Sequence, residues 1–221
     1  MSQCYSSFRQ VPNDGTGEHH PAAAAIVFSM TQTLPKRTFG SVAVAMVTPF
    51  AEDGSLDVDS AAALAAKLVD DGCDCVLLSG TTGESPTTHQ PEKDALVREV
   101  GQAVGDRAMI LAGAGSNDTA HAVRIAKGAQ ASGADALLVV PPYYNRPSQE
   151  GVVQHVLAVT EASDLPVMLY DIPGRTGVRL ELDTLKRLAE HPRILGVKDA
   201  TGDVAGGFVK MDATGLEYYS G

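Results

Sequence analysis

Apolar positions along this chain gather in short, β-branched runs separated by longer stretches with helical spacing. The runs fall at residues 41–47, 75–79, 108–112, 136–140, 166–170, 194–197 and 216–219, and recur about every 22 to 34 residues. Within each run the apolar character is nearly continuous, as strands of a parallel sheet covered by helices require. Helical patterns fill most of the gaps. Asp57 caps the first, which carries Leu64, Ala65, Leu68 and Val69 and can end at Gly72. The second carries Ala95, Leu96, Glu99 and Val100, with Gly101 and Gly105 near its end. The third starts at Ser116 or Asn117, carries Ala122, Ile125, Ala126 and Ala129, and ends near Gly133. The fourth follows Pro147, with Ser148 as cap and Val152, Val153, Val156 and Leu157 as its stripe; a shorter fifth spans 182–189.

Strands alternating with helices at this period predict βαβ units. A doubly wound sheet and a (β/α)8 barrel both satisfy the alternation. The unusual residues favour the barrel, because each group follows a strand: Gly80-Thr81-Thr82-Gly83, Pro141-Pro142-Tyr143-Tyr144-Asn145, Tyr170 with Pro173-Gly174-Arg175, and Lys198 with Thr201-Gly202. Strand ends converge on one face of a barrel. A dinucleotide-binding loop would follow the first strand, where the chain reads Thr48-Pro49-Phe50. Seven strands are countable and a closed barrel needs an eighth, or two edges stay unpaired. The expectation is therefore an α/β TIM barrel over 38–221, truncated after strand seven. Residues 1–37 lack a period and are rich in Ser, Thr, Gln, Pro and Gly, which predicts a disordered extension with Met30 as an alternative start.

Length and charge narrow the class. A chain of 221 residues suits one domain, and a net charge of −10 gains nothing from a phosphate backbone, so nucleic acid is not an expected partner. No apolar run approaches the ~18 residues of a membrane span. Asp14, Glu18, His19 and His20 precede the short apolar stretch 22–28, so it does not read as a signal peptide. Cys4 stands alone; Cys73 and Cys75 flank Asp74 with no second Cys/His pair to complete a zinc site. Reduced structural thiols in a cytoplasmic protein, with no metal and no cofactor, are the expectation.

Lys198 is the most informative residue. Of seven lysines it alone directly follows a strand-like run; Lys67, Lys93, Lys127 and Lys186 fall in helix-like, polar-faced stretches, Lys36 in the irregular N-terminal region, and Lys210 in the short segment before Leu216. Burial would lower its pKa and make it a nucleophile for carbonyls. An ordinary surface lysine at a strand end would look the same in isolation. Thr81 and Thr82 lie in a glycine-bounded loop whose amides and hydroxyls can hold a carboxylate, although a plain turn is an equal reading. Glu84 can serve a structural role by bonding backbone amides. Tyr143 and Tyr144 stand at a strand top, as proton-relay phenols or as aromatic packing at a subunit contact. Arg175 suits bidentate carboxylate binding or a loop-anchoring salt bridge.

Together GTTGES at 80–85, PPYYNRPSQEG at 141–151, YDIPGRTG at 170–177 and GVKDATGD at 196–203 resemble the dihydrodipicolinate synthase family of pyruvate-dependent class I aldolases, over about 39–221. The resemblance implies condensation of pyruvate with L-aspartate 4-semialdehyde through an imine on Lys198. It further implies that Thr81 and Thr82 lie at the pyruvate carboxylate and that Tyr170, Thr81 and Tyr144 form a proton relay, with Tyr144 crossing a dimer interface. Arg175 would receive the aldehyde's carboxylate, and Gly221 would lie close to the bound ketoacid. A homotetramer, built as a dimer of dimers, is implied for the full-length chain. At the positions of a lysine-feedback pocket Ser85, Asn117 and Tyr143 match, but Gln90, Lys93 and His121 depart, so weak or absent feedback is expected. Two alternatives remain: a sibling aldolase acting on N-acetylneuraminate or 2-keto-3-deoxy sugar acids, against which Arg175 argues, and an inactive truncated barrel.

Overall fold

A computed structural model of the chain describes residues 37–221. Apart from Arg37, the expected extension lies outside these residues, as do Cys4, Met30 and Lys36. Seven strands form within the expected runs or overlap them: β1 (Ala43–Ala45), β2 (Cys75–Leu78), β3 (Met109–Gly113), β4 (Ala136–Val139), β5 (Val167–Asp171), β6 (Ile194–Asp199) and β7 (Glu217–Ser220). They pair in chain order and all in parallel, the arrangement of a TIM-barrel wall. Among the described residues, β1 and β7 each have a strand neighbour on one side only.

Each crossover carries helix: α1 (Val58–Asp70), α2 (Gln90–Val104), α3 (Thr119–Ala131), α4 (Gln149–Thr160), the single turn α5 (Pro173–Thr176), α6 (Leu182–Ala189) and α7 (Val204–Thr214). Side chains on a strand alternate between faces, and here that alternation separates two cores. Val76, Leu78, Ile110, Ala112, Leu137, Val139, Val167 and Leu169 point outward and pack with helix residues such as Leu96, Ile125, Val156 and Leu185. Cys75, Leu77, Leu111, Leu138, Met168 and Tyr170 point inward and pack with Phe39. Phe39 is fully buried and meets Tyr219 edge-on, ring centroids 6.0 Å apart. Gly196 makes room for it, since a Cβ there would lie 3.0 Å from Phe39 Cε2.

The β5–β6 register is interrupted in a way that matters for chemistry. Val167 pairs with Ile194, but Met168 pairs with Gly196, so Leu195 is an extra residue on β6. Without that bulge Lys198 would pair with Asp171. With it, Lys198 is the register partner of Tyr170 on one side and Tyr219 on the other.

The departures from the sequence reading are local. β1 is shorter than 41–47 because Asp74 takes up the first amides: its carboxylate accepts from Ser41 N at 2.8 Å and Val42 N at 2.7 Å. Helix α3 is capped by Asp118, not Ser116 or Asn117; Asp118 Oδ1 accepts from Ala120 N at 2.9 Å. Asp57 and Ser148 cap α1 and α4 as expected. Lys198 sits inside β6, not after it. Helix α7 was not expected: Gly206 and Gly207 weaken its helical propensity, and it buries no residue fully. Lys210 lies on it. Lys93, read as a polar-face lysine, is buried on α2.

Candidate active site

The strand ends of β2, β4 and β5 surround a cavity of about 370 Å3 whose lining includes Ser79, Thr81, Ser85, Tyr143, Tyr170 and Arg175. Three of the residues singled out from the sequence, Thr81, Tyr170 and Arg175, thus share one space. Lys198 is outside that lining, on the neighbouring strand, and reaches one of its walls, with Nζ 4.7 Å from the Tyr170 ring centroid. The Lys198 side chain is half-buried, and burial alone pulls its ammonium below the ordinary lysine range. Gly221 packs against this stem: a Cβ on Gly221 would lie 2.9 Å from Lys198 Cε. Gly221 lines a separate hollow of about 530 Å3 between β7 and α7, shared with Asp199, Phe208 and Tyr218.

The loop after β2 is held in an uncommon backbone shape. Ser79 has φ +52° and Glu84 φ +55°, so two non-glycine residues in the left-handed region bracket Gly80, Thr81, Thr82 and Gly83. Gly83 fits a tight space, where a Cβ would meet Met46 O at 3.0 Å. Thr48 Oγ1 donates to Gly83 O at 2.7 Å, Glu84 N to Thr81 O at 3.2 Å, and Ser85 N to Gly80 O at 3.2 Å. Glu84 is exposed and contributes its backbone to the turn; its side chain makes no cap hydrogen bond. Thr81 and Thr82 are exposed at the loop tip.

Arg175 rides on α5, which ends at Gly177 with φ +73°. The Arg146 side chain lies over that glycine, where a Cβ would approach Arg146 Nε to 2.8 Å. The loop's foundation is Asp171, only 1 % exposed, which the sequence reading passed over. Its Oδ1 accepts from Leu180 N at 3.1 Å and its Oδ2 from Lys210 Nζ at 3.2 Å. Burial raises the Asp171 pKa, while the Leu180 amide and the Lys210 ammonium act in the opposite direction.

Four expected residues are not in the cavity lining: Lys198 stands against Tyr170 on the next strand, Thr82 follows Thr81 on the exposed loop tip, Gly221 lines the separate hollow, and Tyr144, with φ +69°, is 87 % exposed. Tyr143, read as either relay or packing, faces the cavity instead.

Comparison with known proteins agrees with the fold. The model of the dihydrodipicolinate synthetase family matches residues 38–221. The 4-hydroxy-tetrahydrodipicolinate synthase of Mycolicibacterium paratuberculosis is 58% identical over 182 residues, 82% of this chain and 61% of that protein. The enzyme of the same name from Acidothermus cellulolyticus is 55% identical over 192 residues, covering 87% of this chain and 62% of its own length. The chain thus spans about three fifths of the curated relatives it matches. A dihydrodipicolinate synthase structure from Bacillus anthracis superposes with a TM-score of 0.81 at 44% identity, covering 84% of this chain and 64% of that one. One from Acinetobacter baumannii, complexed with pyruvate, superposes with a TM-score of 0.80 at 44% identity, covering 83% and 64%. The chain belongs to the dihydrodipicolinate synthetase family.

Proposed function

We propose that this chain carries the imine-forming part of a 4-hydroxy-tetrahydrodipicolinate synthase, condensing pyruvate with L-aspartate 4-semialdehyde. The observation that carries the reading is Lys198: half-buried, with a lowered pKa, against Tyr170 at the edge of a cavity shared with Thr81 and Arg175. The neutral amine of Lys198 attacks the keto carbon of pyruvate, and loss of water leaves an imine. The imine withdraws electrons, a methyl proton leaves, and an enamine forms. The enamine carbon attacks the aldehyde. The amine of that second substrate then closes onto the imine carbon, and Lys198 departs with its electron pair restored.

Each remaining residue has a role suited to its place. Thr81 and Thr82 offer hydroxyls and amides to the pyruvate carboxylate. Tyr170 moves protons, with Thr81 and a Tyr144 supplied by a neighbouring protomer; the exposure of Tyr144 suits a side chain that serves another copy. Arg175 binds the second carboxylate, which favours this reaction over sibling aldolases of N-acetylneuraminate or 2-keto-3-deoxy sugar acids, whose aldehyde partner is an uncharged sugar. Gly221 keeps space beside the Lys198 stem. A homotetrameric, cytoplasmic enzyme fits this scheme; among the described residues no helix is long and apolar enough to cross a membrane.

Borohydride reduction in the presence of pyruvate, followed by peptide mass mapping, tests the reading. A stable adduct on Lys198 is expected. A folded sample that forms none, or forms it on another lysine, overturns it.

A further inference from the structure

Lys93 is one of the most deeply buried charged side chains among the described residues, 4 % exposed, and the chemistry above makes no use of it. It lies on the first turn of α2 and points back at the segment leaving the threonine loop. Its Nζ donates to Ser85 O at 2.7 Å, to Thr88 O at 2.8 Å, and to Thr88 Oγ1. An ammonium has three donors, and all three are engaged. Among the described residues no carboxylate pairs with it: Asp94 accepts from Gln90 Nε2 at 2.7 Å, and Glu92 from His89 N at 2.6 Å. Burial pushes the Lys93 pKa down to about 8, and Glu92 partly opposes this. Burying a charge without a counter-ion is costly, so two carbonyls and a hydroxyl that converge on it form a built site for a cation.

What that cation fastens is the strained loop. Ser85 begins the short 3-10 turn Ser85–Thr87 and also lines the cavity beside Thr81. Strained residues persist only where their surroundings over-determine them. From the β1 side Thr48 grips Gly83 O; from the α2 side Lys93 grips Ser85 O. Lys93 itself is absent from the cavity lining and touches only a hollow of about 10 Å3 behind it, next to Ser79. It acts from behind the loop.

We propose that Lys93 is a positioning residue for the pyruvate carboxylate: its ammonium locks Ser85 and Thr88, and through them sets Thr81 and Thr82 at the cavity mouth. The inference rests on the imine chemistry proposed for Lys198.

The test is the pyruvate dependence of borohydride trapping on Lys198 in the full chain, for the wild type and for Lys93→Met, which keeps the apolar stem and removes the donors. Half-saturation is expected to rise about tenfold or more, with the maximal adduct yield unchanged. Thr88→Val, which removes one acceptor with little change of shape, should give a smaller rise in the same direction. It carries the test if Lys93→Met does not fold. Leu96→Ala, one turn further along the same helix and without a hydrogen bond to the loop, should lower the melting temperature without moving half-saturation. Unchanged half-saturation in folded Lys93→Met or Thr88→Val overturns the inference while leaving the function standing. The same holds if Leu96→Ala shifts half-saturation as far. A wild type that forms no adduct overturns both.

Discussion

The stretch of sheet from β2 to β5 and the stretch formed by β6, β7 and α7 are built to different standards. Strands β2, β4 and β5 are buried at every residue, between an inner core and a closed layer of helices. Strand β7 has no fully buried residue, and α7 shows Val204, Phe208 and Val209 to solvent. The candidate site straddles this seam. Thr81, Tyr170 and Arg175 stand on the finished wall, and Lys198 and Gly221 on the open one. The residues proposed to recognise substrate are therefore backed by a closed layer of helices, while the proposed nucleophile depends on two register partnerships, with β5 and with β7.

Four changes would break or sharpen that contrast. The largest effect belongs to the proposed nucleophile: Lys198→Ala should abolish the pyruvate adduct in mass spectrometry, since it removes the amine that stands against the cavity-lining Tyr170. Next is the ion pair that ties α7 to β5. Lys210→Met leaves Asp171 buried without its cation and should cost about 3–5 kcal/mol in chemical denaturation. Adding Asp171→Asn should recover most of this loss, because an amide can still accept from Leu180 N. A single-variant cost near zero would mean that the seam is not held there.

The third change compares the two regions directly. Leu169→Ala in the finished wall should cost about 2–5 kcal/mol, whereas Phe208→Ala on α7 should stay within about 0.5 kcal/mol. Equal costs would show that Phe208 is covered in solution.

The smallest effect concerns a histidine sealed within the helical layer. Burial holds His155 down to about 4, below its ordinary value of 6.5, and its Nε2 has no partner among the described residues. Between those two values the unfolded chain takes up a proton that the folded chain refuses. Stability should accordingly fall as pH drops from about 6.5 toward 4 and level off below. Melting curves at several pH values should show a flatter profile for His155→Leu than for the wild type.

The contrast also explains what was legible in the sequence. In the finished wall each strand carries two buried faces, which leaves an uninterrupted apolar run, and each helix leaves a stripe such as Ala122, Ile125, Ala126 and Ala129. Those elements could be read to within a few residues. Helix α7 has no such stripe and carries two glycines, Gly206 and Gly207, in its first turn, so periodicity had nothing to register. Lys93 sits between Glu92 and Asp94 and looks like a surface residue; its acceptors are mostly backbone oxygens, which carry no sequence signature. Asp171 was visible as a letter within the tyrosine–arginine motif, but its partner lies 39 positions away on the unexpected helix. The outward stance of Tyr144 follows from a backbone angle that the residue type does not reveal.

The extra residue at Leu195 reaches further than local geometry. Because it shifts β6 by one step, it decides whether Lys198 faces the phenol of Tyr170 or the carboxylate of Asp171. A chain that paired these strands without the bulge could be compact, helical and soluble, yet chemically silent. Pyruvate trapping therefore doubles as a census of folding fidelity, counting only the molecules in which β5 and β6 have paired in the correct register.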